Sequence, residues 1–112
     1  MYAEAAVRSG SNVSTGVGYF NLVRERAVGN SSQNVTSLTL DEILDERARE
    51  LYTEGHRRQD LIRFGKFTSS SYLWQFKGGE QFGTAVPAHF NLYPLPGADL
   101  NANPNLDQNP GY

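Results

Sequence analysis

Glu54, His56, Arg57, Asp60 and Arg63 form the densest set of chemistry-bearing side chains in the sequence. His56 and Asp60 are four residues apart, so a helix would place them on one face. With Glu54 nearby, that spacing suits an acid–base pair or part of a metal site, and a hydrolase using Glu54, His56 and Asp60 is the sharpest chemical reading. The plainer one is a salt-bridged corner, in which arginines tie Glu54 and Asp60 to neighbouring groups. Arg57, Arg58 and Arg63 surround the two acids and would repel a cation. The sequence therefore favours Glu54, Arg57, Asp60 and Arg63 as a structural polar cluster, with no catalytic residue and no metal ligand.

The other candidates are thinner. His89 is far from His56 in sequence and has no evident companions, whereas a zinc site needs about three protein ligands. Ser69-Ser70-Ser71 lacks the Gly-x-Ser-x-Gly elbow of a serine hydrolase. Gly78-Gly79 lacks the pattern of a phosphate loop. No cofactor is implied. Trp74 and Tyr72, with Phe76, could stack on the apolar faces of sugar rings. If this stretch is a strand, alternation puts all three rings on one side. The same pattern also describes ordinary core packing.

The elements that must position these residues change character along the chain. Its 112 residues suffice for one domain or part of one. Residues 1–66 hold nine of the ten basic residues, and all five prolines lie in residues 87–112. A formal charge of -2 disfavours a net-basic nucleic-acid binder. With no cysteine, disulfides and thiolate metal sites are excluded.

Tyr2 to Ser9 reads as a helix ending at Gly10, and Met1 reads as lying inside a helix rather than before one. That suggests a piece of something longer. Ser11 to Thr15 reads as a connection, followed by a second helix over 17–28 with Tyr19, Val23 and Ala27 at four-residue spacing and Phe20 and Leu22 widening the apolar face. Thr39 and Glu42 form a capping box for a third helix. Its core face is Ile43, Leu44, Arg47, Ala48 and Leu51, with Asp45 and Arg49 paired at i, i+4. Gly55 interrupts it, and a further short helix ends at Gly65. Residues 67–86 read as irregular, with room for a small hairpin at Lys77-Gly78-Gly79-Glu80. Beyond Pro87 the prolines forbid a long helix, and the Asn-rich tail reads as a chain of turns.

Three segments carry a resemblance. They are Tyr19-Phe20-Asn21-Leu22-Val23-Arg24-Glu25-Arg26-Ala27; Leu40 to Leu51 continuing through Glu54-Gly55-His56-Arg57-Arg58 to Asp60-Leu61-Ile62-Arg63-Phe64-Gly65; and Asn91-Leu92-Tyr93-Pro94-Leu95-Pro96 followed by the tail to Tyr112. In this order they resemble the C-terminal region of the SusD/RagB family of nutrient-binding outer-membrane lipoproteins. The departures are mild: Tyr93 and Leu95 stand where Phe and Ile are common, and Arg58-Gln59 where an aromatic often precedes the aspartate.

The resemblance implies a mainly α fold. It comprises a helix pair of tetratricopeptide type and a long capped helix, followed by an irregular Pro/Asn-rich C-terminal wrap. Residues 1–112 would be the C-terminal part of a single larger α-helical domain, helical over 1–66 and mostly loop and extended over 67–112. It implies no enzyme activity. The function would be glycan or other nutrient binding at the outward face of the outer membrane, through a lipid anchor in an N-terminal part that this chain lacks. The oligosaccharide would pass to a TonB-dependent, SusC-like transporter, with this segment mainly scaffold. No ligand residue transfers, because the family's binding aromatics lie mostly upstream. The alternative is a stand-alone helical protein-interaction module. Open apolar faces also suggest self-association of the isolated chain.

Overall fold

The capping box at Thr39 forms as the sequence predicts. In the computed structural model, which describes residues 1–112, the Glu42 N–H donates to Thr39 Oγ1 at 3.2 Å, and Thr39 N–H donates back to Glu42 Oε2 at 2.7 Å. Two donors that a helix start would leave unpaired are thereby satisfied. The chain is helical, with five α-helices and no strand. It divides into two compact units, Met1–Arg57 and Arg58–Tyr112.

The first unit holds α1 (Tyr2–Ser9), α2 (Val13–Val28) and α3 (Leu40–Glu50). Gly10 closes α1 in the left-handed region at φ 68°, where a Cβ would be strained. α2 begins at Val13, earlier than the expected 17. Gly16 and Gly18 lower the intrinsic helix propensity there, but Gly16 is the point where α2 meets α1. A Cβ on Gly16 would lie 3.0 Å from Ala6 Cβ and 3.3 Å from Ala3 Cα. Close packing outweighs propensity.

Of the face read from spacing, Phe20 is buried, joined by Gly16, Val23 is half-buried, and Tyr19, Leu22 and Ala27 are exposed. Tyr19 is exposed and meets the edge of Tyr2, with centroids 5.0 Å apart. On α3, Ile43 and Leu44 are buried, Leu44 to 1% exposure.

Arg49 does not pair with Asp45. It turns to Glu46 (Nη2–Oε2 2.6 Å), and Arg24 of α2 reaches the same oxygen at 2.9 Å. Glu46 is buried, and a buried carboxylate requires such partners. Arg24 also donates through Nε to the Gln33 carbonyl at 2.8 Å, and Asn21 clamps both backbone groups of Val35 at 2.9 and 3.0 Å. The polar loop after α2 is thus fastened by three side chains from one helix, Glu25 accepting from the Asn34 amide at 2.5 Å as the third. The Arg57 guanidinium donates to the Leu44 carbonyl at 2.9 Å.

The second unit opens with α4 (Arg57–Arg63), whose first residue lies at the boundary. It ends in a Schellman motif: Lys66 N–H donates to Leu61 O at 2.7 Å, Gly65 N–H to Ile62 O at 2.9 Å, and Gly65 has φ 68°. Asp60 is buried beside Arg63, with Nη2–Oδ1 at 2.8 Å.

No hairpin forms over 67–86. Residues 66–86 make a closed loop around a 3-10 turn at Lys77–Gly79, joined by Thr84 N–H to Lys77 O (3.0 Å) and Val86 N–H to Thr68 O (3.1 Å). Beyond Pro87, a 3-10 turn at Ala88–Asn91 and the six-residue α5 (Gly97–Ala102) are the only helical pieces, as the prolines require.

Acid should loosen the start of α3. Hydrogen bonds from the Thr39 hydroxyl and then the Thr39 N–H hold the Glu42 carboxyl below the usual glutamate range. The ionised form is the one stabilised. Its contribution is complete above the ordinary glutamate value of about 4.3 and is lost as pH falls through the lowered one. The Thr39 amide resonance should therefore titrate with a midpoint below that value. A midpoint at or above it would contradict the cap.

Candidate functional site

The polar cluster does not assemble a reactive centre. Glu54 and His56 are exposed, on the turn between α3 and α4, and His56 makes no hydrogen bond. Arg57 is engaged with the Leu44 carbonyl, and Asp60 is paired with Arg63. No three His, Asp or Glu side chains come together in a way that could hold a metal ion. His89 is packed among rings, 4.5 Å from Phe90 and 4.9 Å from Tyr112. Gly111 lies so close that a Cβ there would come within 2.6 Å of the imidazole.

The other motif residues are occupied in building the chain's own backbone arrangement. The Arg58 guanidinium lies 3.9 Å from the Tyr93 ring centroid and donates to the Phe90 carbonyl at 2.7 Å. Gln108 pairs with Leu95 as a strand neighbour would, accepting from its N–H at 2.8 Å and donating to its carbonyl at 3.0 Å. Asn109 donates to the Tyr93 carbonyl, and the Tyr112 hydroxyl to Leu92, at 2.7 and 2.8 Å. Amide side chains therefore supply the partners that prolines 94 and 96 prevent a regular element from supplying.

The aromatic group around Trp74 is arranged differently from the expected strand. Tyr72, Trp74 and Phe76 do not alternate on a sheet face, because Phe76 adopts φ 65° ahead of the Lys77 turn. Tyr72 is half-buried, Trp74 is 37% exposed and Phe76 68%. Phe67 stacks on Trp74 with centroids 6.0 Å apart and planes 27° apart.

Lys77, which the sequence marked only as part of a turn, organises this group. It is 2% exposed. Its ammonium donates to the carbonyls of Tyr72 (2.8 Å), Lys66 (3.3 Å) and Ser69, and lies 4.7 Å from the Trp74 centroid. Burial pushes its pKa below the usual lysine value, while the three carbonyls and the indole favour the charged form. A lysine followed by two glycines amid aromatic residues was the one faint signal. At Gly78 (φ 66°) a Cβ would come within 2.6 Å of Thr84 Cγ2.

An apolar cleft of about 350 Å³ lies in the first unit, lined chiefly by Tyr2, Tyr19, Phe20, Val23, Ile43 and Leu51. Met1, Tyr2, Tyr19 and Leu22 are exposed in this unit. No helix is long and apolar enough to cross a membrane.

The comparisons agree with this architecture. The model of the SusD family matches residues 1–112. The chain is 47% identical over 110 residues to the starch-binding protein SusD of Bacteroides thetaiotaomicron. That alignment covers 98% of this chain and 19% of the relative, so the chain spans about a fifth of the relative's length. Members of the family are carbohydrate-binding proteins and not enzymes. By a match along its whole length, the chain belongs to the SusD family.

Proposed function

We propose that this chain is the C-terminal framework of a single-domain, outward-facing outer-membrane lipoprotein that binds oligosaccharides and delivers them to a TonB-dependent, SusC-like transporter. Binding is reversible capture without chemistry. The observation that carries the reading is the family match over the whole chain, with 47% identity to a starch-binding protein. The framework role draws support from how the motif side chains are used: Asn21, Arg24, Arg58, Gln108 and Asn109 all bond to the chain's own backbone. Side chains committed in this way hold the chain's own loops in place.

The test is co-purification. Tagged full-length protein, extracted from outer membranes in mild detergent, should bring down a TonB-dependent transporter and remain sensitive to protease added outside intact cells. Recovery alone, or from the periplasmic face, would overturn the transporter and location readings.

The isolated chain should self-associate. The cleft on the first unit and its exposed Tyr2, Tyr19 and Leu22 form a contiguous apolar surface of the kind that monomers seldom leave open. Sedimentation should show weight-average mass rising with concentration, and Tyr19→Ser should reduce it. A strictly monomeric chain at every concentration would contradict this.

A further inference from the structure

Several rings of the second unit are locked by cations. Arg58 lies 3.9 Å from the Tyr93 centroid and 5.0 Å from Phe67; Phe67 stacks on Trp74; and Lys77 lies 4.7 Å from Trp74. Along this series, aromatic and cationic groups draw residues 58, 67, 74, 77 and 93 together. The apolar side chains of this loop are nonetheless not hidden. Phe76 is 68% exposed and Phe82 81% exposed, and Leu73 and Trp74 are also open. Gly83 brings Phe82 close to this group, because a Cβ on Gly83 would meet the Trp74 carbonyl and lie 3.3 Å from Leu73 Cβ.

Phe76 holds φ 65°, a region that bulky side chains avoid. Lys77 N–H to Trp74 O (3.1 Å) and Gly79 N–H to Phe76 O (3.0 Å) hold the turn in that conformation. A strained residue with an outward ring points to a binding role more than to packing. The exposed polar residues around it are Ser70, Ser71, Gln75 and Gln81, and the one exposed charge is Glu80. Rings beside neutral amides and hydroxyls suit a neutral, hydroxyl-rich ligand. They do not suit an anion, which would want the lysine that is buried here.

We propose that Phe76 and Phe82, beside the part of Trp74 left open by Phe67 and Lys77, form a carbohydrate-contact surface that takes the apolar face of a neutral hexose chain. Gln75 and Gln81, exposed next to these rings in sequence, would bond the hydroxyls, and Tyr72 anchors the loop through its carbonyl. This rests on the carbohydrate-binding reading and adds a location to it.

The chain has one tryptophan, so its indole N–H gives a single resonance. Maltoheptaose or cellohexaose at millimolar concentration should move that resonance together with the amides of residues 73–83. Phe82→Ala and Phe76→Gly should each weaken binding about three- to tenfold, the scale of one stacked ring. Phe76→Gly removes the backbone strain, so it should fold at least as stably as the parent, and weaker binding cannot then be put down to unfolding. The same two substitutions should reduce retention of the full-length protein by a soluble glucan. If amides elsewhere move while the indole stays still, the surface is misplaced and the carbohydrate reading stands. Unchanged retention of both variants likewise overturns the proposal.

Discussion

Lys77→Met is expected to destabilise the second unit by on the order of 3 kcal/mol. Methionine roughly fills the volume of the lysine stem, so the change isolates the ammonium. Removing it leaves the carbonyls of Lys66, Ser69 and Tyr72 without their shared donor in a place where the lysine is 2% exposed. A carbonyl left unpaired and away from water costs about 1–3 kcal/mol, and since Lys66, Ser69 and Tyr72 are only half-buried, water recovers part of the sum. The buried charge need not be a net stabiliser compared with an apolar loop designed from scratch; deleting one partner is what is costly. Urea unfolding followed by Trp74 emission is the measurement, since the indole sits against this ammonium. A loss below about 0.5 kcal/mol, the range of an ordinary surface change, would mean that Lys77 does not organise the loop.

At Gly16, neither of two substitutions should show the gain that helix propensity alone predicts. Alanine gains about 1 kcal/mol over glycine within a helix, yet its Cβ would sit 3.0 Å from Ala6 Cβ. The two effects should nearly cancel. Leucine is also a good helix former, but its side chain has no space between α1 and α2. Overpacking of this kind costs about 1–3 kcal/mol, and the helix pair must separate to relieve it. The urea midpoint should stay close to wild type for Gly16→Ala and fall clearly for Gly16→Leu. Equal midpoints would show that α1 and α2 do not cross closely at this residue.

What could be read in advance was what depends on neighbours in sequence. Thr39 and Glu42 are three residues apart, and the cap needs nothing else. Gly65 ends α4 by a motif confined to six residues. The prolines beyond residue 87 exclude long helices by themselves. What could not be read depends on distant partners. α2 starts early because Gly16 lies against Ala3 and Ala6, a contact that local propensity does not register. Arg49 leaves Asp45 for Glu46 because Arg24, from another helix, has already drawn Glu46 into a buried network. The Tyr72, Trp74 and Phe76 alternation resembles a strand. The chain turns instead because Lys77 finds three carbonyls and Phe76 takes a left-handed backbone. Lys77 itself carried almost no signal, since a lysine in a Gly-rich turn is ordinarily solvated. Of the four residues read as a polar cluster, Asp60 and Arg63 pair within one helix, Arg57 goes to the Leu44 carbonyl and Glu54 stays exposed on the turn.

The most direct test of the account is whether the full-length protein binds carbohydrate. Native electrophoresis through gels containing soluble starch, and separately β-glucan, mannan or arabinogalactan, would measure it. Retardation is expected in at least one neutral polysaccharide, with no shortening of the glycan over long incubation. Unretarded migration in all of them, or release of shorter sugars, would contradict it.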